Sequence, residues 1–185
     1  MQLNSQQILP VSQIVAWEAL NDIDILKACI PGCESLVSVA DNEFELMILA
    51  VVGPVKARFK GKLRLSDLQP PSGYLLQFEG QGGAAGHGKG SAEVRLESQS
   101  SERTVLRYTA TATVGGKMAQ IGSRLIDMAA QRMATEFFTA FTAQLQERAT
   151  APTGTAAADA DSSSAPPTTA PGWLRRLFAF LRRLL

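Results

Sequence analysis

The pattern of apolar and polar positions changes period along the chain, and each change predicts a boundary between elements. Residues 2–9, QLNSQQIL, alternate as a short strand that stops at Pro10. Ser12 then caps a helical run, QIVAWEAL, and Asn21-Asp22 caps another, IDILKACI, closed by Pro31-Gly32. From residue 34 to 114 the period is two. The clearest strand is 54–68, where Val55, Ala57, Phe59, Gly61, Leu63 and Leu65 point one way and Lys56, Arg58, Lys60, Lys62 and Arg64 the other. Gly53-Pro54 predicts a turn before it and Pro70-Pro71-Ser72-Gly73 a turn after it. Similar alternation over 73–81, 91–98 and 103–114 predicts consecutive antiparallel strands in a strongly curved sheet with one face wet. After Gly115-Gly116 the period becomes 3.6 and holds to about Arg148, which predicts one long helix.

A helix with such a stripe cannot bury it alone, so it must lie across the concave side of the sheet. The order of strand, two short helices, further strands and a closing helix predicts an α+β helix-grip fold: a curved antiparallel sheet of about six to seven strands wrapped on a long C-terminal helix. In that architecture the space between sheet and helix can be an apolar cavity. Strand parity and helix stripe nominate Phe59, Leu63, Tyr74, Leu76, Phe78, Tyr108, Met118, Ile121, Leu125, Met128 and Met133 as its lining. Methionine adapts to irregular ligands, although Met at helical spacing fits a filled core equally well.

The pattern dissolves after residue 148. Residues 149–172 are rich in Ala, Pro, Ser and Thr, with nothing to bury, and read as a disordered linker. The final segment, 173–185, is amphipathic. At 100° per residue, Trp173, Leu174, Leu177, Phe178, Phe180, Leu181, Leu184 and Leu185 gather on one arc, and Arg175, Arg176, Arg182 and Arg183 on the other. A helix of that length is about 20 Å long, shorter than the roughly 30 Å hydrocarbon core of a bilayer. It is therefore expected to lie in the membrane interface with its apolar side down, its arginines drawn to anionic lipid. The competing reading is a helix that docks back on its own domain or dimerises. The chain thus divides into a folded ligand-binding domain (1–148), a linker (149–172) and a membrane-binding helix (173–185).

Net charge explains why only the tail looks cationic. The whole chain is +1, with Lys+Arg 18 against Asp+Glu 17, so no global field argues for nucleic acid. A single His and two Cys rule out a zinc cluster or a disulfide framework within this sequence. Cys29 and Cys33 have the wrong spacing for a redox pair and read as two small buried residues. Gly83 to Lys89 has phosphate-loop spacing, but Gly90 stands where Ser or Thr is needed and SAEVRLES continues as a strand. These glycines instead suit a bend, a bulge or a close backbone approach. The basic row Lys56, Arg58, Lys60, Lys62, Arg64 reads as a solvated face partly paired with Glu43 and Glu45, or with Glu93 and Glu97, or as a docking surface for an acidic protein or an anionic membrane. The start of the chain lacks a secretory pattern and no apolar run is long enough to span a membrane, which predicts a cytoplasmic protein.

Several segments resemble the family of the carbon monoxide dehydrogenase G protein, an accessory component of that enzyme, within the START-like, polyketide-cyclase-like superfamily. They are Ile30-Pro31-Gly32-Cys33-Glu34-Ser35-Leu36, Gly53-Pro54-Val55-Lys56 with Phe59-Lys60-Gly61, the run Gly82 to Gly90 leading into Ser91-Ala92-Glu93-Val94, and the closing stretch VGGKMAQIGSRLIDMAAQRMATEFF. The resemblance implies a non-catalytic accessory protein that recruits a molybdenum-containing hydroxylase to the cytoplasmic face of the inner membrane. It also implies a cavity for a quinone or another lipid, and no covalently bound cofactor, metal or catalytic residue. Two other readings share the pattern. One is a small enzyme of cyclase or hydrolase type with a polar pair drawn from Tyr74, Tyr108 or Asp127; the other is a pure tether with a filled core.

Overall fold

The computed structural model describes residues 1–150; residues 151–172 of the linker and the whole of 173–185 lie outside the described residues. The elements run β1 (Gln2–Leu9), α1 (Gln13–Leu20), α2 (Ile23–Cys29), β2 (Cys33–Ala40), β3 (Glu43–Val52), β4 (Val55–Gln69), β5 (Gly73–Gln81), β6 (His87–Ser100), β7 (Arg103–Gly115), α3 (Lys117–Gln120) and α4 (Ser123–Thr150). The strands form one seven-stranded antiparallel sheet in the order β1-β7-β6-β5-β4-β3-β2. Every neighbour except β1–β7 is consecutive in sequence, so hairpin turns set most of the register. The chain-opening strand closes the sheet by pairing Leu9 with Thr104 and Gln2 with Thr111.

The α+β helix-grip architecture expected from the periodicity is present. On β4 the even-numbered basic residues are exposed and Val55, Ala57, Phe59, Leu63 and Leu65 half-buried, so the two faces of one strand meet different surroundings. Near its end the register with β5 shifts between Ser66 and Gln69, and Asp67 takes φ 50°, which bends the long strand.

Two details differ from the periodic reading. Strand β6 begins at His87 rather than 91, because Gly88 and Gly90 pair in register with Gly80 and Phe78. The closing helix is broken: Gly122, at φ +93°, separates the short α3 from the 28-residue α4. The side of α4 that is covered carries Ile126, Met133, Phe137, Phe141 and Leu145, whereas Leu125 and Met128 fall on the opposite side.

The closed core sits at one end of the grip, where Leu9, Leu106, Phe141 and Leu145 are fully buried among Leu20, Ile25, Tyr74, Val94 and Leu96. The one buried polar residue among the described core, Thr104, donates its hydroxyl to the Val11 carbonyl at 2.8 Å. The helices are locked to each other at this end. The Asp22 carboxylate caps α2 by accepting from the N–H groups of Asp24 and Ile25, and it also takes a 2.8 Å hydrogen bond from Arg148 of α4. Burial raises the Asp22 carboxyl, but Arg148 and the capped N–H groups outweigh it and hold its pKa below the ordinary value. Because the folded-state pKa is the lower one, this stabilisation is present above the unfolded value of about 3.9 and is lost as pH falls through the folded value. Asp22→Ala should cost about 1–2 kcal/mol at neutral pH, read as a lower urea midpoint, with the difference from wild type shrinking at acidic pH.

Candidate functional site

Directly opposed residues of an antiparallel pair project to the same side, so the register sorts every strand residue to one of two faces. The inner face, covered by the helices, has a closed half and an open half. In the closed half Tyr74 opposes Val94, Val94 opposes Tyr108, and Leu96 opposes Leu106. The aromatic groups there are packed edge and face: Trp17 against Tyr74 at 5.8 Å, Tyr108 against Phe138 at 5.3 Å, Phe137 against Phe141 at 5.6 Å. Burial pushes the Tyr74 phenol up to about 12, so it stays neutral.

The open half is different. Phe44 opposes Leu63 and Leu63 opposes Phe78; Leu46 opposes Gly61; Ile48 opposes Phe59. These six large apolar side chains are only half-buried and do not pack on the closed core. Three of them lie down on bare backbone. A Cβ added at Gly61 would fall 2.5 Å from Leu46 Cδ2, one at Gly82 2.5 Å from the Phe59 ring, and one at Gly90 2.7 Å from Phe78 Cζ. Glycine at these positions keeps the floor thin and lets the side chains lie flat, which leaves room above them. In the first half of α4, Ile126, Ala130 and Met133 are half-buried, and α4 reaches the β3–β4 turn, where Leu125 Cδ1 lies 3.7 Å from the Cβ position of Gly53. The open half is thus a half-buried apolar surface of hydrocarbon and aromatic rings, and Asp127 is half-buried on α4.

The nominated lining residues fall into three groups. Phe59, Leu63 and Phe78 lie on the open half of the inner face, while Leu76 and Tyr108 share that face and pack on the core. Met118 is buried in α3, and Ile121 and Met133 are half-buried. The third group departs from the expectation: Tyr74 belongs to the closed core, and Leu125 and Met128 stand 42% and 58% exposed. Both lie on α4 itself, where 100° per residue turns them 140° and more away from Phe141. Parity reasoning also missed Phe44, Leu46 and Ile48, because β3 (EFELMILAVV) is apolar on both faces over its second half. Their pairing with β4, whose parity is plain, is the signal that finds them.

The glycine-rich run serves close approach. Gly86, at φ +114°, abuts Gly115 and Gly116 so tightly that a Cβ would overlap the Gly115 carbonyl, and residues Gly83–Ala85 form a short 3-10 turn. Cys29 and Cys33 are free thiols, both pushed up by burial, which makes them poor nucleophiles.

The outer face carries the charge. Two cross-strand rows, Glu43–Arg64–Gln77–Ser91–Thr111 and Glu45–Lys62–Glu79–Lys89–Thr113, wall an open groove of about 790 Å³. Of the basic row, Arg58 pairs with Glu34 at 2.9 Å, Lys60 with Glu45 at 3.1 Å and Arg64 with Glu43 at 3.5 Å. All are solvent-exposed pairs that contribute little stability. Their effect is to turn most of the row into a surface of mixed sign, leaving Lys56 and Lys62 without an ion pair among the described residues. No group of His, Cys, Asp and Glu among the described residues could hold a metal ion, and no described helix is long and apolar enough to cross a membrane.

Comparison with known proteins agrees with this fold. The family model for CoxG, the G component of carbon monoxide dehydrogenase, matches residues 9–146. Among solved structures, a conserved protein from Geobacillus kaustophilus is similar at 28% identity and TM-score 0.75, over 80% of this chain and 96% of that one. The Zhui aromatase/cyclase from Streptomyces sp. R1128 matches at 14% identity and TM-score 0.64, over 84% of this chain and 99% of that one. A START superfamily protein from Mycobacterium smegmatis matches at 10% identity and TM-score 0.62, over 80% and 98%. The last two likenesses establish the START-like fold alone. No curated protein sequence is significantly similar.

Proposed function

The chain belongs to the CoxG family of carbon monoxide dehydrogenase components, and from that premise we propose that it is a non-catalytic accessory protein that recruits a molybdenum-containing hydroxylase to the cytoplasmic face of the membrane and carries a lipophile for it. The observation that carries the reading is the open half of the inner face. Phe44, Leu46, Ile48, Phe59, Leu63 and Phe78 are large apolar side chains that the fold leaves half-buried. Burying apolar surface is worth about 25 cal/mol per Å², so a cleft of this kind gains by holding a hydrocarbon-rich guest. A quinone suits it: the ring can stack against Phe59 or Phe78 and the isoprenoid chain can run along the leucines. Reduction would take an electron pair from the hydroxylase and one proton for each quinone oxygen, returning a quinol to the bilayer.

The membrane half of the proposal rests on the tail. Residues 173–185 carry their arginines on one arc and their apolar side chains on the other, the composition of an interfacial helix. The enzyme reading has less support, since it needs paired polar groups in the cleft. Tyr74 packs on Trp17 and Tyr108 on Phe138, and among the described residues no hydrogen bond joins either phenol to Asp127.

The test is co-sedimentation of the full chain with phosphatidylglycerol vesicles, with solvent extraction of the purified protein analysed by mass spectrometry. Wild type should pellet and should yield a quinone or other lipid, and added quinone should raise its melting temperature. Replacing Arg175, Arg176, Arg182 and Arg183 by Glu should abolish pelleting and leave the extracted lipophile unchanged. An empty extract together with no thermal response would end the carrier reading.

A further inference from the structure

We propose that the open end of the grip is a second lipid-docking surface, in which Val51, Leu125 and Met128 enter the headgroup region of an anionic bilayer and Lys56, Lys117 and Arg124 hold it there. Three connections gather at this end. Register places them together: Val52 opposes Val55 across the β3–β4 turn, Gln81 opposes His87 across the 82–86 connection, and His87 opposes Gly115, which leads into the 116–122 connection before α4. The contact of Leu125 with the Gly53 position ties the start of α4 to the β3–β4 turn.

Apolar side chains project where the sheet ends. Val51 is 62% exposed before the turn, and Met128 follows Leu125 by one helical turn on the same exposed side. None of them takes part in the closed core. Val51 stands at the end of β3 and Leu125 and Met128 in the first turns of α4, exposed apolar side chains of the kind that insert between headgroups.

The charge around them has one sign. Residues 51–58, 81–90 and 115–126 contain Lys56, Arg58, Lys89, Lys117 and Arg124 and no carboxylate. Arg58 is engaged by Glu34, and Asp127, the first carboxylate along α4, is half-buried. Elsewhere on the sheet the signs alternate, so this end is the part of the described surface that complements an anionic leaflet. Each cation near such a leaflet is worth on the order of 1 kcal/mol, added to burial of the apolar tips. Phe59, the Gly82 backbone and the start of α4 border this end, so the open half of the inner face begins here. Docking here would present the cleft directly to hydrocarbon, a role the tail alone cannot supply. The direction of cargo traffic rests on the function proposed above; the docking does not.

The experiment places an environment-sensitive nitrobenzoxadiazole label on the full chain at Val51→Cys, at Met128→Cys or, as the outer-face control, at Thr111→Cys. All are made on a Cys33→Ser background, since Cys29 is buried. Vesicles are of phosphatidylglycerol carrying nitroxide-labelled acyl chains, or of phosphatidylcholine carrying the same probe. Labels at 51 and 128 should shift to the blue and be quenched several-fold more than the label at 111 on the anionic vesicles only. Lys117→Glu with Arg124→Glu should remove that quenching while the tail still pellets the protein. Protein that pellets with labels at 51 and 128 as wet as the one at 111 overturns the proposal, whether the tail is then the sole anchor or this end docks on the enzyme. Failure to pellet at all overturns it together with the membrane reading, and the extraction assay reports on the cargo independently of both.

Discussion

Phe141→Ala should be the most damaging single truncation, lowering stability by about 3–5 kcal/mol. Phe141 is 0% exposed, stacks on Phe137 at 5.6 Å, and lies with Leu9, Leu106 and Leu145 in the closed core. It belongs to α4 while Leu9 belongs to β1 and Leu106 to β7, so one ring joins the closing helix to the seam that completes the sheet. The surrounding strands cannot collapse into the gap, and the lost transfer free energy is joined by a cavity cost. For a domain of this size the loss corresponds to a melting temperature lower by roughly 10 °C. Differential scanning calorimetry measures it; a shift of only a degree or two would mean that α4 does not carry the core. Truncations on the open half of the inner face should cost much less stability, since those side chains are not part of that core.

Leu63→Asp should empty the cleft while leaving the protein folded. Leu63 lies between Phe44 and Phe78 on the open half of the inner face, half-buried, with no cation among the apolar side chains around it. A carboxylate there remains hydrated when the cleft is empty but must be desolvated under a hydrocarbon guest, at a cost of several kcal/mol. Retention of a lipophile should fall by about 10- to 100-fold. The neighbouring substitution Lys62→Ser, on the outer face, should leave retention unchanged. Quantified extraction of both variants, with circular dichroism to verify folding, checks this. Full retention in Leu63→Asp would place the ligand elsewhere or deny that there is one.

Much of the architecture was legible because β4 and its partners see solvent on one side only. Alternation between Lys56, Arg58, Lys60 and the intervening Val55, Ala57, Phe59 records that asymmetry residue by residue. The caps of α1 and α2 were legible for a local reason as well, since Ser12 and Asp22 accept hydrogen bonds from residues within three positions of themselves. Strand β3 was not, because an interior strand with apolar groups on both faces has no period to read. The start of β6 was hidden too: Gly88 and Gly90 have no side chain to alternate, and they extend because Gly80 and Phe78 pair with them.

The sequence by itself determined the curved sheet with its wet face, the two capped helices, the helical stripe from Met133 to Leu145 and the amphipathic composition of 173–185. Each is written in periodicity or capping chemistry within a window of a few turns. Three features arise only from tertiary contacts: Gly122 breaks the closing helix, Tyr74 lies in the closed core, and Phe44, Leu46 and Ile48 share a face with Phe59 and Leu63. Tertiary contacts likewise let Glu34, Glu43 and Glu45 neutralise most of the basic row, while Lys56, Lys117 and Arg124 form no ion pair among the described residues. These properties depend on which strands become neighbours and where a helix lands, and they arise from contacts between residues far apart in the chain, which no local period encodes.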